Sequence, residues 1–382
     1  MAGARPLRIL MLTTSYPPAP GVPNGAFVHR LAARLVAAGH EVDVLAPHAA
    51  GAESRVEDGV RSHFFRYAPT RLELLAYGPG MVYNLSVDRR RLALLPSFGA
   101  AFAIAAARHA RRADVVHGHW LPAGMVARVT RRPFVTTVHG SDLALAQRVP
   151  RLVRATLSNH VTIAVSEEMR RELAKLAPHA DIRVVPPGGV EFPARPYGDA
   201  TPGRLLFVGR LVDVKGVDTL MSAWPAIRAA NPHATLDVVG VGPLAELVHG
   251  EGVRLLGRVR PNEIAGLYAD AAAVVVPSRR DSFSLACLEG MATARPVICT
   301  PVGDMATRVR DGVDGLVVRP DDPAAVAAAA GRLLADPAAA ATMGLEARRR
   351  AEARYSWDVI VREMLAAYEA AITSRGSATC TR

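Results

Sequence analysis

Residues 204–230 read RLLFVGRLVDVKGVDTLMSAWPAIRAA. Arg204–Val208 has the length and apolar content of a buried strand. A glycine-bearing loop follows, and Gly216–Ala230 carries apolar residues at helical spacing. Strand, loop and helix in this order form half of a βαβ unit. The pattern recurs on both sides. Upstream, Arg8–Leu12, Glu41–Ala46, Asp114–His117, Phe134–Val138, Val161–Val165 and Ile182–Val185 read as strands. Ala26–Ala38, Phe98–Arg111, Ala123–Thr130 and Ser166–Leu176 read as helices between them. Downstream, the strands are Thr235–Val239, Val253–Leu256, Ala273–Val276, Val297–Cys299 and Gly315–Val317. Pro261–Tyr268, Leu285–Thr293 and Pro323–Leu334 are the intervening helices. Such repetition predicts parallel sheets with helices on both faces.

Pro186–Pro202 is rich in proline and glycine, lacks an apolar period and reads as an interdomain linker. Two doubly wound α/β domains result, 1–192 and 193–357, with a cleft between them. A helical tract from about Pro337 is interrupted near Tyr355–Ser356–Trp357, and the tail Thr373–Arg382 is expected to fray.

Half of the 382 residues are hydrophobic and 21% are charged, which excludes disorder for most of the chain. The longest nearly apolar stretch, Pro96–Ala107, is twelve residues. A bilayer span needs about 20, so no transmembrane helix is expected. Met1–Leu10 lacks the apolar core of a signal peptide. The cysteines are Cys287, Cys299 and Cys380. An odd number without metal-type spacing argues against a disulfide scaffold or a Cys-rich zinc site and fits a reducing cytosol. The net charge of +11 is uneven: residues 1–195 hold 25 Lys/Arg against 14 Asp/Glu, and the rest hold 21 of each. An excess confined to the first half suits an anionic partner, or simply a solvated Arg-rich surface.

In open α/β sheets ligands bind beyond the carboxyl ends of the strands, so the residues after each strand matter most. After Arg8–Leu12 comes a Gly/Pro loop through Gly25 that opens a helix, a geometry suited to an anion or to an ordinary turn. After Phe134–Val138 comes His139–Gly140–Ser141–Asp142, a histidine with a carboxylate three residues on. Such a pair can position or polarise a hydroxyl. His117 and His119 end a neighbouring strand, but no Cys or Glu cluster joins the three histidines into a zinc site.

After Arg204–Val208, Arg210 and Lys215 share one strand-to-helix loop. Two cations at a helix start make a diphosphate site. The chain has only two lysines, Lys175 and Lys215. A Lys where nearly every base is Arg indicates a need for a compact ammonium. After Ala273–Val276, Pro277–Leu285 runs into a helix carrying Glu289. The amides of Ser282–Leu285 are the unpaired donors of that helix start, and Glu289 can accept from vicinal hydroxyls such as those of a ribose. Gly240–Val241–Gly242–Pro243–Leu244–Ala245 fits a dinucleotide-binding G-x-G-x-x-A. Pro243 and the lack of an acid at the end of the next strand weaken that reading.

These residues carry a resemblance to the retaining glycosyltransferases of family 4, which have a GT-B fold of two facing Rossmann-like domains. It covers nearly the whole chain: TSYPPAPGVPNGAFVHRLAARLVAAGHEVDVLAP at 14–47, DVVHGHWLPAG from Asp114, VTTVHGSD from Val135 and VSEEMRREL from Val165. It continues with FVGRLVDVKGVDTL from Phe207, VVGVGPL from Val238 and PSRRDSFSLACLEGMATARPVI from Pro277. The last stretch resembles the family's E-x7-E element, with Asp281 at the first acidic position and Ser282 and Ser284 where glycines are common.

The resemblance implies a nucleotide-sugar donor bound mainly to the second domain. Arg210 and Lys215, beside Gly209, would hold the diphosphate. Glu289 would bind the ribose. Asp281 would touch the donor sugar, and Ser282, Phe283, Ser284 and Leu285 would line the sugar and phosphate. Gly257–Arg258–Val259 would hold the base. His139 would meet the transferred sugar, the Gly25 loop would approach the phosphates, and a terminal helix (358–375) would return to the first domain.

Negative charge develops on a departing diphosphate, and Arg210, Lys215 and the helix start at Leu285 would stabilise it. No D-x-D sequence occurs, so fixed cations would take the place of a bridging metal, and no cofactor is expected beyond the nucleotide-sugar co-substrate. The acceptor is a glycan, a lipid-linked or a small-molecule hydroxyl. The basic first half also fits peripheral contact with an anionic inner membrane face, through Arg89–Arg91, Phe98–Ala107 and Arg108–Arg112. Nucleic acid is not expected, because no aromatic-rich basic motif accompanies the arginines. The rival readings are a GT-B-like sugar-nucleotide epimerase, a non-catalytic nucleotide-sugar binder and an NAD oxidoreductase.

Overall fold

A computed structural model describes residues 5–22, 24–77, 81–140, 142, 154, 156–157 and 160–379. Ser141 and Cys380 lie outside them. The strands are β1 (Arg8–Leu12), β2 (Glu41–Pro47), β3 (Arg55–Glu57), β4 (Val60–Phe65), β5 (Val115–His119), β6 (Phe134–Val138), β7 (Val161–Ala164) and β8 (Asp181–Val184) in one sheet. The second sheet holds β9 (Arg204–Val208), β10 (Thr235–Val239), β11 (Val253–Gly257), β12 (Ala273–Val276), β13 (Val297–Cys299) and β14 (Leu316–Val317). The helices are α1 (Ala26–Ala37), α2 (Met81–Val87), α3 (Leu95–Ala110), α4 (Leu121–Val129), α5 (Glu167–Leu176) and α6 (Val217–Ala230). They continue with α7 (Pro261–Asp270), α8 (Leu285–Ala292), α9 (Met305–Arg308), α10 (Pro323–Ala335), α11 (Pro337–Tyr355) and α12 (Trp357–Thr379).

The chain divides into two compact units, 1–188 with 360–382, and 189–359. In the second unit the strand order is β11-β10-β9-β12-β13-β14, all parallel. Successive strands step outward from β9 in one direction, then restart beside it in the other. The order reverses between β9 and β12, where the crossovers leave the carboxyl ends of both strands uncovered. The first sheet repeats this logic in β3-β4-β2-β1-β5-β6-β7-β8, with its reversal between β1 and β5. Among the described residues only β3, paired with β4, runs antiparallel.

The period of two along β9 builds both layers of the second core. Leu205 and Phe207 face α6 and α10 beside Trp224, Ile227 and Leu333. Leu206 faces the opposite layer with Tyr268, Leu288 and Met291. In the first unit Phe98, Phe102, Ala106 and Ala110 form the buried stripe of α3, against Leu10, Leu45, Phe65 and Val116.

The structure adds to or departs from these expectations in four places. The β3–β4 hairpin was not anticipated, although its Asp58–Gly59 turn, both residues at positive φ, is a strong hairpin signal. Helix α2 was also not anticipated. The tail expected to fray stays helical to Thr379. Finally, a 3-10 turn at Arg89–Leu94 joins α3 into a 22-residue helical run, long and apolar enough by length and composition to cross a membrane. Only the stripe Phe98, Phe102, Ala106 and Ala110 packs on the sheet, and most of the run is not buried.

That stripe sets a contrast within one helix. Phe102→Ala is expected to cost about 3–5 kcal/mol, because it leaves a cavity in a closed core. Ile104→Ser, on the exposed side, is expected to stay within about 0.5 kcal/mol. Urea unfolding of both variants checks this, and equal losses would contradict the packing.

Candidate active site

The reversal between β9 and β12 carries a cavity of about 290 Å³. Its walls come from the ends of both strands and from the two loops that leave them. Gly209 and Lys215 come from the β9 loop; Asp281, Phe283 and Ser284 come from the β12 loop; Leu285 and Glu289 come from α8. These seven expected site residues therefore meet in one place.

Close backbone contact holds the loops together. Gly216, at φ 67, precedes α6, and a Cβ there would lie 2.0 Å from the Pro277 carbonyl oxygen. The amides of Arg279 and Arg280 donate to the Val214 carbonyl at 3.0 and 3.2 Å. Arg279 completes the clamp with a two-bond grip on Asp218, at 2.8 and 2.7 Å. The paired glycines of the G-x-G-x-x-A stretch have the same use. A Cβ on Gly240 would lie 1.8 Å from the Gly209 oxygen, and Leu211 donates to Val241 at 3.0 Å. Only a short 3-10 turn, Pro243–Leu247, follows these glycines. They serve backbone packing of the β9 loop.

The Lys215 ammonium lies 2.5 Å from Asp281 Oδ2, and both side chains are largely buried. The two expected ligands of phosphate and sugar thus contact each other. Glu289 is half-buried on the cavity wall, and the Tyr268 hydroxyl donates to its Oε2 at 2.8 Å. Tyr268 is fully buried, and burial beside this carboxylate pushes its phenol well above the usual range. It therefore stays a donor and fixes the orientation of Glu289. Sequence reasoning missed it, because a Tyr at a helical core position carries no distinguishing signal.

Ser284 caps α8, its Oγ accepting from the Cys287 amide at 3.3 Å. The site therefore uses a serine cap where a bare helix start was expected. Arg210 is exposed on the β9 loop and outside the cavity lining. Gly257 ends β11, two strands from β9; neither it nor Arg258 and Val259 reaches the cavity wall, and Ser282 is also outside it. Among the described residues no group of three or more His, Cys, Asp and Glu could hold a metal ion.

In the first unit, Gly25 (φ 66) opens α1, and a Cβ there would lie 2.2 Å from the Ser15 oxygen. Asp142 is buried and accepts from the amides of His139 and Leu121 at 2.8 and 3.2 Å. It shapes the backbone, and burial raises its carboxyl to about 7. The His139 ring packs among Phe27, Trp120 and His119. His119 Nδ1 and His139 Nε2 are 3.4 Å apart, while His119 Nε2 is buried without a partner. His117 bonds Tyr368 of α12 at 2.8 Å and Thr137 at 2.7 Å, so it ties the last helix to β5.

Burial holds His117 and His139 down to about 3 and His119 well below its usual value. These imidazoles are neutral in the folded chain. Below about pH 6.5 the unfolded chain protonates them and the folded chain does not, so stability falls as pH drops. Each contributes at most about 1.4 kcal/mol per pH unit. Asp142 acts oppositely, since its raised folded value favours the folded chain as pH falls from 7. The thermal midpoint is expected to drop from pH 7 to pH 5, and less steeply in His119→Phe. Equal slopes in the two proteins would contradict the assignment.

Comparison with known proteins identifies the family and the fold. The "Glycosyltransferase Family 4" family matches residues 25–188, and "Glycosyl transferases group 1" matches residues 202–336. A D-inositol 3-phosphate glycosyltransferase of Acidothermus cellulolyticus is 32% identical over 315 residues, 70% of each chain. A glycogen synthase of Mycobacterium tuberculosis is 29% identical over 411 residues, 96% of this chain and 95% of that one. Among solved structures, sucrose-phosphate synthase from Thermosynechococcus elongatus aligns with a TM-score of 0.79 at 25% identity, over 95% of this chain and 98% of that one. With these matches, the chain belongs to glycosyltransferase family 4 and has the GT-B fold.

Proposed function

We propose that this glycosyltransferase moves a hexosyl group from a nucleoside-diphosphate sugar to a hydroxyl acceptor, with retention at the anomeric carbon. The carrying observation is the cavity between β9 and β12, where Lys215, Asp281, Glu289 and the start of α8 converge. Glu289, held by Tyr268, would accept from a vicinal diol. The start of α8 offers backbone N–H groups to a phosphate. Lys215 supplies a compact cation, and Arg210 lies on the same loop outside the cavity. An arriving phosphate competes with Asp281 for the Lys215 ammonium. Asp281 is then released toward the sugar. Charge on the departing diphosphate is met by groups already in position, which is the effective way to lower such a barrier. Arg258 and the β11 end are assigned to the base, the Gly25 loop to the phosphates and His139 to the transferred sugar, on the family resemblance.

Two variants test this reading. Glu289→Ala is expected to lose nucleotide binding in calorimetry against UDP, GDP, ADP and dTDP while keeping its unfolding midpoint. Lys215→Ala is expected to lower kcat by about 10²–10³ with a smaller change in donor affinity. Wild-type nucleotide affinity in the first variant, or an effect confined to KM in the second, would overturn the assignments. Binding of NAD alone would point to the oxidoreductase reading instead.

A second observation supports an acceptor at the cytoplasmic face of an anionic membrane. Residues 89–113 hold six arginines and no carboxylate. Leu92, Leu95 and Ile104 are 46%, 36% and 53% exposed. With its inner stripe buried in the core, the run from Arg89 to Arg112 would lie in the membrane plane, apolar in the middle and basic at both ends. Each basic residue near such a surface is worth about 1 kcal/mol. Co-sedimentation with phosphatidylglycerol vesicles, absent with phosphatidylcholine and lost in Arg108→Glu/Arg111→Glu/Arg112→Glu, is the expected outcome. Equal binding to both vesicle types would contradict it.

A further inference from the structure

We propose that Arg308, paired with Asp304, is a positioning residue for the donor loop: it holds Phe283 and Ser284 so that the start of α8 faces the cavity. The inference rests on the donor-site reading above.

Arg308 is fully buried, at 0% exposure. Its Nη1 donates to the Ser284 carbonyl at 2.5 Å, and its Nη2 donates to Asp304 Oδ2. The guanidinium lies 4.1 Å from the Phe283 ring centre and 4.9 Å from that of Tyr355. Phe283 and Ser284 both line the cavity. The segment is braced from behind, where Arg350 donates to the carbonyls of Arg308 and Thr307 at 2.5 and 2.6 Å. It also meets the loop backbone directly: a Cβ on Gly303 would lie 1.8 Å from the Asp281 oxygen. The loop therefore has a rigid floor, and Arg308 is the side chain that reaches up from it.

Fold stability does not account for this pair. Arg308 Nε and Asp304 Oδ1 are both buried with no well-formed hydrogen bond of their own, and the further polar neighbours of the pair, the Ser284 backbone beside Asp304 and the Tyr355 hydroxyl beside Arg308, again belong to the donor loop and its floor. Desolvating two charges is repaid only by excellent geometry, and an apolar pair of similar volume is often as stable or more so. An apolar side chain would fill the same space between Phe283 and Tyr355. It would not hold the Ser284 carbonyl. What the guanidinium adds is a planar, directional grip on two consecutive residues of the donor loop.

The experiment compares wild type, Arg308→Lys and the double variant Asp304→Leu/Arg308→Met. Binding of inorganic pyrophosphate, UDP, GDP, ADP and dTDP is measured by calorimetry, and unfolding by heat. The double variant is expected to keep the wild-type midpoint and to bind the wild type's preferred probe about tenfold more weakly, as a displaced ligand loop should. Wild-type midpoint with wild-type affinity would overturn the proposal. If the double variant does not fold, Arg308→Lys decides. It keeps the buried charge but loses the planar grip, so its affinity is expected to fall with little change in midpoint, and unchanged affinity would overturn the proposal. If wild type binds none of the probes, the donor-site reading fails and this inference falls with it.

Discussion

Backbone packed directly on backbone is the constraint from which the second unit's site follows. The loop after β9 cannot approach the loop after β12 unless residue 216 lacks a side chain, because the Pro277 oxygen occupies that position. The same holds at Gly240 against Gly209. Once these chains touch, Lys215 and Asp281 are forced within bonding distance and the cavity has its walls. A Cβ at either glycine would push the loops apart and separate the charges, before any contact to a ligand is considered.

Strand order supplies the place, and polar contacts supply the precision. The reversal between β9 and β12 makes room at the carboxyl ends. Tyr268 aims Glu289, Ser284 caps its helix, and Arg279 locks the two loops through Asp218. Each is a neutral or charge-assisted bond of modest net strength. Together they remove the freedom that would otherwise be lost on binding.

The parallel sheets were legible because buried strands such as Leu205–Phe207 and Val274–Val276 are short, apolar and evenly spaced. The site loops were legible because glycine and charge are concentrated after those strands. What escaped reading had no local signature. Tyr268 and Arg308 look like ordinary members of helices, and only the fold shows that one supports Glu289 and the other Ser284. The β3–β4 hairpin did carry a local signal, Asp58–Gly59, but its first strand, Arg55–Val56–Glu57, is too short and charged to show an apolar run. The Gly240–Gly242 pair shows the converse: a pattern associated with dinucleotides exists here to let two loops touch.

The last helix has a consequence for biosynthesis. Tyr368, on α12, bonds His117 of β5 across 251 residues of sequence, and Arg183 of β8 bonds the Ala366 carbonyl. The first unit is therefore unfinished when its own sheet leaves the ribosome. It must wait until the whole of the second unit has been made, on the order of 10–30 s at typical translation rates. Throughout that interval the apolar ground beside His117 is uncovered, and the nascent chain is exposed to misassembly or chaperone capture at one defined place. The second unit, contiguous in sequence, carries no such delay.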